Sequence, residues 1–368
     1  MMVRVCMLAL LVASGAGGQI RQVAAGDITM VVKGDGSVVG WGRETFGMAG
    51  YPPSPKETIE APKPLAMPGP VQRMAVGRSA VYALLEDGTV WTWGWNDVGQ
   101  LGDGGAVKRG WATPARLAAL ADIVDVQAGF YHGLALGRDG TVYTWGPAAP
   151  APVAGLPKIV KIAVGPQHNL ALTSEGLVYA WGSNRDGELG NGAVTTGPTM
   201  TPALVAGIDR VVAIAAGGAA RGSSGAIRAD GTVWMWGSHA EGMMGNGIPT
   251  SGPGGPGAHN PRPMPVKGIA GAKSLVLGGG HAAVLLGDGT LRMWGHDGWG
   301  QLGFGTSGFY HEAPVKTRIA GVAAVYLGGS RSYAVKQDGT LWVWGPGSPG
   351  GRGVLRVHQH VPVLLPLP

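Results

Sequence analysis

Asp230-Gly231-Thr232-Val233-Trp234-Met235-Trp236-Gly237 is the stretch whose reading decides the fold. Its pattern, an acidic-Gly turn followed five residues after the glycine by Trp-Gly, occurs seven times. The glycines are Gly36, Gly88, Gly140, Gly176, Gly231, Gly289 and Gly339, and the tryptophans are Trp41, Trp93, Trp145, Trp181, Trp236, Trp294 and Trp344. Spacing within the pattern is constant, whereas spacing between copies runs from 36 residues (Trp145 to Trp181) to 58 (Trp236 to Trp294). That combination describes one rigid hairpin repeated, with connections of free length.

Around each hairpin the sequence predicts four strands. In the fourth unit these are Pro152 to Leu156, Ile159 to Val164, His168 to Thr173 and Leu177 to Trp181, punctuated by Gly165 and Glu175-Gly176. A proline-led apolar piece recurs at Pro64, Pro114, Pro152, Pro202, Pro263, Pro314 and Pro362, the place of a strand start or an edge strand. The tryptophan strand is apolar on both faces: Val233 and Met235 point one way, Trp234 and Trp236 the other. Such a strand must be covered on both sides, which radial stacking of sheets achieves. Each indole N–H is expected to donate to a backbone carbonyl of a neighbouring strand or blade. The fold class is therefore all-β, a seven-bladed propeller of four-stranded antiparallel blades. After residues 1–18 the chain starts with a second strand (Ile20 to Gly26) and ends with a spare first strand (Val361 to Leu365). The expectation is closure by pairing of that C-terminal strand, about 360–366, with the N-terminal blade, which removes an open edge.

Composition agrees with many short strands and tight turns. The 368 residues include 68 glycines and 27 prolines, with 14% charged and 45% hydrophobic residues, which excludes a disordered chain. Residues 19–368 read as a single domain. Residues 1–18 read as a signal peptide: Arg4, the apolar run Val5 to Val12, then Ala13-Ser14-Gly15-Ala16. Removing it takes away Cys6, the only cysteine, and makes a secreted or periplasmic location the expectation. No segment reaches the ~20 apolar residues of a membrane span. The net charge of +6 permits an acidic partner. No Lys/Arg run exceeds two residues, so nucleic acid is not the expected one.

The runs Glu86 to Gly94 followed by Gly99-Gln100-Leu101-Gly102, with Gly187-Glu188-Leu189-Gly190 and Gly300-Gln301-Leu302-Gly303, resemble the repeats of the regulator of chromosome condensation family. So do the Gly-x-x-His turns ending at His132, His168 and His281. Thr29, Ala80, Ala220 and Arg331 stand where histidine is expected in the other units, and the Gly-Gln-Leu-Gly loop is missing after Trp145 and Trp344. The resemblance implies a seven-bladed propeller over residues 20 to 368 and extends to bacterial secreted members, among them inhibitors of β-lactamases or related penicillin-binding enzymes. It also offers an alternative, the guanine-nucleotide exchange activity of the founding member on a small GTPase. That activity depends on an inserted wedge and acidic contacts, and here the third-to-fourth connection is the shortest in the chain.

Strand alternation puts the Gly-x-x-His turns and the loops after each Trp-Gly on one face and the uniform acidic-Gly turns on the other. The loop-rich face carries the candidate partner-binding residues Tyr51, Arg78, Trp95, Arg109, Trp111, Phe130, Tyr131, Arg221, Phe309, Tyr310 and Arg331. Arginine and aromatic side chains on loops are the composition of protein-binding hot spots.

Enzyme chemistry finds little support. His132, His168, His239, His281 and His296 share the loop face, but the repeated ones read as satisfying buried backbone groups, and His358-x-His360 lacks a third ligand. Gly268 to Ser274 imitates a phosphate loop without its glycine spacing or its helix. No Gly-x-Ser-x-Gly elbow appears. The carboxylates Glu44, Glu57, Glu60, Asp97, Asp103, Glu241, Asp297 and Glu312 are spread over several blades, leaving a propeller-fold hydrolase or lyase as the weaker alternative. The expected function is a monomeric, non-enzymatic protein-binding propeller, an inhibitor or scaffold, with no cofactor and no metal.

Overall fold

The computed structural model describes residues 20–43, 47–50, 58–104, 110–219, 221–249, 259–305, 308–347 and 357–368. Residues 1–18, Tyr51, Arg109, Ala220, Glu44 and Glu57 lie outside these. Twenty-eight strands, numbered in chain order, form seven four-stranded antiparallel sheets, each built from consecutive strands. Blade 1 consists of β1 (Ile20–Ala25), β2 (Ile28–Lys33), β3 (Val38–Arg43) and β4 (Thr58–Leu65). Blades 2 to 7 cover 71–116, 123–152, 159–204, 211–265, 272–316 and 322–365. The first strands of neighbouring blades touch in a closed ring, including that of blade 7 against β1, and so line a central channel.

Burial follows distance from that channel. The second strand of each blade is buried almost throughout, and the third carries the Trp-Gly pair; Trp93, Trp236, Trp294 and Trp344 have no solvent exposure. The outer strands are largely exposed or half-buried, as in β4, where only Ile59 and Leu65 are buried. The sequence demand that the tryptophan strand be covered on both faces is met by the blades on either side.

The placement of the proline-led strand corrects the expected connectivity. It closes the blade before it instead of opening the blade after it. At the C-terminus β28 (Gln359–Leu365) accordingly pairs with β27 (Leu341–Gly345), through Leu341↔Leu365 and Val343↔Val363, and not with the N-terminal blade. Every blade is thus continuous in sequence, and the ring closes by side-chain packing. Residues of blades 1, 2 and 7 share one apolar cluster, and Thr29 Oγ1 and Tyr333 OH share a buried hydrogen bond of 2.8 Å across the closing junction. The physical reason is that the proline-led strand needs a hydrogen-bonded neighbour on one edge only. The connection to the Trp-Gly strand before it folds back as an antiparallel hairpin, while the next strand starts the following blade.

Candidate functional site

The two faces are built differently. On one, the carbonyls of five acidic-Gly turn glycines accept the N–H of the next blade's first strand: Val71 N–H to Gly36, Ile123 to Gly88, Ile159 to Gly140, Val211 to Gly176 and Ala272 to Gly231. The aspartates complete their own turns: Asp87, Asp139, Asp230, Asp288 and Asp338 each accept the backbone N–H of the residue two further on. Hydrogen bonds from Thr89, Thr141, Thr232, Thr290 and Thr340 hold these carboxylates below their ordinary pKa, which makes them turn formers and poor proton donors.

On the opposite face the residue after Trp-Gly donates back to the turn between the first two strands in five blades, Arg43 to Asp27, Trp95 to Ser79, Ser183 to Gln167, Ser238 to Gly222 and His296 to Gly280, while in blades 3 and 7 it is Pro147 or Pro346, which has no N–H. This brings both loop families together, as strand alternation requires. The glycine of Trp-Gly makes the exit: in six blades its φ lies between +101° and +125°, and a Cβ on Gly94 would stand 2.5 Å from the Ser79 carbonyl. Gly146 in blade 3 lacks this conformation.

Each long loop then makes a Gly-x-x-Gly turn closed by an N–H to carbonyl bond between its glycines: 47 to 50, 99 to 102, 187 to 190, 242 to 245 and 300 to 303. Gly47-Met48-Ala49-Gly50 and Gly242-Met243-Met244-Gly245 therefore play the Gly-Gln-Leu-Gly part, which their sequence hid. The next blade's tryptophan clasps the turn. Trp93 Nε1 donates to Met48 O (2.8 Å), Trp145 to Gln100 O (3.2 Å), Trp236 to Glu188 O (2.9 Å) and Trp294 to Met243 O (2.9 Å). The expected indole-to-carbonyl bonds between blades are present at these four junctions.

The histidines join blades as well. His132 Nε2 lies 2.8 Å from Asn169 Oδ1, His168 Nε2 2.9 Å from Ser224 Oγ, and His281 Nε2 2.9 Å from Ser332 Oγ, always across one junction. Ser224 and Ser332 give their single protons to the carbonyls of Glu188 and Gln301. His168 and His281 must therefore be the donors through Nε2–H. Burial depresses both imidazoles to a pKa of about 3 and lowers His132 in the same direction. Register also corrects two positions. Ile28, not Thr29, pairs with the glycine of Trp41-Gly42, and Ser223 pairs with Gly237 where Ala220 was expected to stand. Thr29 instead takes the bridging position of Ser224 and Ser332. Among the described residues no group of three or more His, Cys, Asp or Glu is placed to hold a metal ion.

The candidate partner-binding residues separate into groups. Arg78, Phe130 and Tyr131 converge at the mouth of the central channel, on a depression of ≈ 650 Å3. The Arg78 guanidinium lies 5.5 Å from the Phe130 ring centre and 5.8 Å from that of Tyr131, and the two rings meet edge to face at 6.3 Å. Phe309, 82% exposed, and Tyr310 stand apart on blade 6, where Tyr310 packs on His296 and Trp299 on His358. Arg221 pairs with Asp186 at 3.2 Å, which also meets His259 at 3.2 Å. Burial and Glu188 nevertheless raise the Asp186 pKa. Arg331 donates to Pro346 O, and Trp95 is half-buried. None of these five lines the central depression. Trp111 belongs to β8 (Gly110–Arg116), where its backbone pairs with Gly94. The sequence reading missed Asp186, His259 and the 47%-exposed Trp299; the last was hidden inside a Trp-Gly pair with no turn before it.

Two models described as Regulator of chromosome condensation (RCC1) repeat match the chain, one over residues 87–136 and 175–219, the other over 71–100 and 159–188. The seven-bladed propeller thus contains segments similar to this repeat in its second to fifth blades. The chain spans a quarter or less of the length of the curated relatives described next. The human probable E3 ubiquitin-protein ligase HERC6 is 31% identical over 302 residues, 79% of this chain but 25% of that protein. The human E3 ubiquitin-protein ligase HERC2 is 32% identical over 139 residues, 35% of this chain and 3% of that protein. Among solved structures, Prp20p of Saccharomyces cerevisiae, studied for its binding to Gsp1p and histones, superposes with a TM-score of 0.77 at 23% identity. The match covers 95% of this chain and 87% of that one, and it shows the shared fold.

Proposed function

We propose that this propeller is a non-enzymatic protein-binding module, an inhibitor or scaffold acting as a monomer, and that its primary contact is the channel mouth on the loop-rich face. The observation that carries the reading is Arg78 seated over Phe130 and Tyr131 beside a depression walled by backbone turns. A preformed cationic and aromatic cluster loses little side-chain entropy on binding, and Arg and Tyr dominate interface hot spots. The binding of Gsp1p and histones by Prp20p, on the same architecture, is consistent with a protein partner. The signal-like residues 1–18 support a site of action outside the cytoplasm, in the periplasm or the medium. No helix among the described residues is long and apolar enough to cross a membrane.

The test is affinity capture with the protein expressed in its own host, comparing the wild type with a combined Arg78→Ala, Phe130→Ala, Tyr131→Ala variant whose melting curve is unchanged. The wild type is expected to retain a partner that the variant loses by at least ~100-fold in affinity, as for removal of a hot-spot cluster. Equal retention by both proteins overturns the assignment. Sequencing of the mature N-terminus is expected to begin after residue 18, and a protein retained in the cytoplasm with Met1 intact excludes the export reading.

A further inference from the structure

A cavity of ≈ 790 Å3 opens between blades 3 and 4. It occupies the place that protein fills at other junctions. Where a Gly-x-x-Gly turn is present, three things recur. At four of the five turns the carbonyl of the second residue accepts the next blade's indole N–H, at Met48, Gln100, Glu188 and Met243; at the fifth, Gln301 O takes Ser332 Oγ and Trp344 Nε1 has no acceptor. Its third residue is buried, as are Ala49, Leu101, Leu189 and Met244. Its last glycine lies against the indole: a Cβ on Gly102, Gly190 or Gly245 would come within 2.8, 2.9 and 2.8 Å of Trp145, Trp236 and Trp294.

Blade 3 has no such turn. Trp145-Gly146 runs through Pro147-Ala148-Ala149-Pro150 directly into β12 (Ala151–Pro152), an outer strand of two residues, while the facing β16 (Thr195–Leu204) has ten. Thr144, whose counterpart Thr92 donates to the turn carbonyl of Leu101, donates instead to Gly133 O at 3.2 Å.

The receiving half of the junction is nevertheless intact. Trp181, 2% exposed, lines the cavity, and its Nε1 has no acceptor among the described residues. Asn169, 5% exposed, takes His132 through Oδ1 and keeps its Nδ2 hydrogens for the cavity it also lines. At the next junction the counterparts of these two, Trp236 Nε1 and Ser224 Oγ, both donate to one carbonyl, that of Glu188. No Asp, Glu, Lys or Arg lines the cavity, and burial keeps its one histidine, His132, neutral.

The geometry points to this junction as a docking site for a glycine-flanked apolar turn of a partner protein, of Gly-x-Leu-Gly or Gly-x-Met-Gly chemistry. Its carbonyl accepts from Trp181 Nε1 and Asn169 Nδ2, its leucine or methionine fills the cavity, and its last glycine rests on the Trp181 ring. The occupant is uncharged because the lining offers no partner for a charge, and a buried unpaired ion is unfavourable. Four other junctions serve as the template, since there the chain makes this contact with itself. The site shares Tyr131 with the channel mouth, but Arg78 and Phe130 take no part in it, so variants of those two separate the readings.

The experiment titrates a cyclic hexapeptide, Ser-Gly-Gln-Leu-Gly-Ser, into the full chain by isothermal calorimetry. Saturable binding is expected, weakened ~10-fold or more when the peptide leucine is replaced by alanine, in keeping with loss of a buried isobutyl group. Ala149→Trp, at an exposed rim position, should block the cavity. Met200→Glu, at a residue 71% exposed, should place a charge in its neutral wall. Loss of binding in either variant, with binding retained in Arg78→Ala and Phe130→Ala, locates the peptide at this junction and leaves the channel-mouth reading to its own test. Absence of saturable binding up to ~1 mM, the floor of weak recognition, overturns the proposal. So does binding that survives both cavity variants.

Discussion

At the scale of the residue, the repeated histidines act as neutral hydrogen-bond donors between blades, which makes stability depend on pH. The folded pKa of His168 and His281, about 3, lies below the ordinary 6.5, so the unfolded chain binds more protons between those values. Their contribution is complete above pH 6.5 and is lost as the pH falls through that window. At pH 5 each histidine is expected to remove up to ~2 kcal/mol relative to pH 7, at ~1.4 kcal/mol per pH unit. Thermal melts of wild type and His168→Gln from pH 7 to pH 4.5 check this. The variant should be less stable at pH 7 and show a flatter decline on acidification, and parallel declines count against the buried neutral imidazole. The histidines and the Gly-x-x-His turns were legible in the sequence. Their partners Asn169, Ser224 and Ser332 were not, because each sits one blade further on.

At the scale of the element, the unit that repeats is larger than the hairpin. It comprises the Trp-Gly strand, its Gly-x-x-Gly turn and the tryptophan of the following blade. Gly190 shows why the turn needs glycine: its φ is +65°, and a Cβ would lie 2.7 Å from Val205 Cγ1 and 2.9 Å from Trp236 Nε1. Gly190→Ala is expected to cost ~1–3 kcal/mol through backbone strain and displacement of the indole. Trp236→Phe, which removes one buried hydrogen bond, is expected to cost about 1–3 kcal/mol. Denaturant melts of both single variants and the double measure the coupling. Since Gly190 presses on the same ring that Trp236 supplies, the double variant should cost less than the sum, whereas simple additivity separates the two contacts. The motif of Gly187 to Gly190 could be read directly. Its equivalents at Gly47 to Gly50 and Gly242 to Gly245 could not, because Met48 and Met243 stand in the Gln or Glu position and Ala49 and Met244 in that of leucine, and only the buried third residue and the shared carbonyl contact reveal the equivalence.

At the scale of the whole molecule, closure rests on side chains. Blade 7 keeps its own outer strand, and its second strand reaches blade 1 through Tyr333 and Thr29. Tyr333→Phe alone leaves the Thr29 hydroxyl buried without its partner and is expected to cost about 1–3 kcal/mol. Replacing both, with Thr29→Val, is expected to restore most of that, because paired removal leaves no orphaned polar group. Equilibrium unfolding of the two single variants and the double completes the cycle; absence of positive coupling removes this bond from the closing junction. Closure by termini meeting in one blade and closure by packing of complete blades need the same strands in the same order. The residues therefore pointed to a ring but not to how it shuts. The same holds for the candidate site. Arg78, Phe130 and Tyr131 were recognisable as loop residues of the right kind, but so were Phe309, Arg221 and Arg331, and only the ring placed the first three together.

The sequence by itself determined the repeat, the seven blades, the turn role of the aspartates and the face on which variation collects. These follow from local periodicity and from the backbone conformation that glycine and aspartate favour. Only the tertiary structure decided which blade owns each proline-led strand, which loop residues share a surface, and that the junction after Trp145 keeps its receptor half without its turn. Those depend on contacts between residues separated by a whole blade, and short-range pattern carries no information about which neighbour a strand edge or an indole N–H meets.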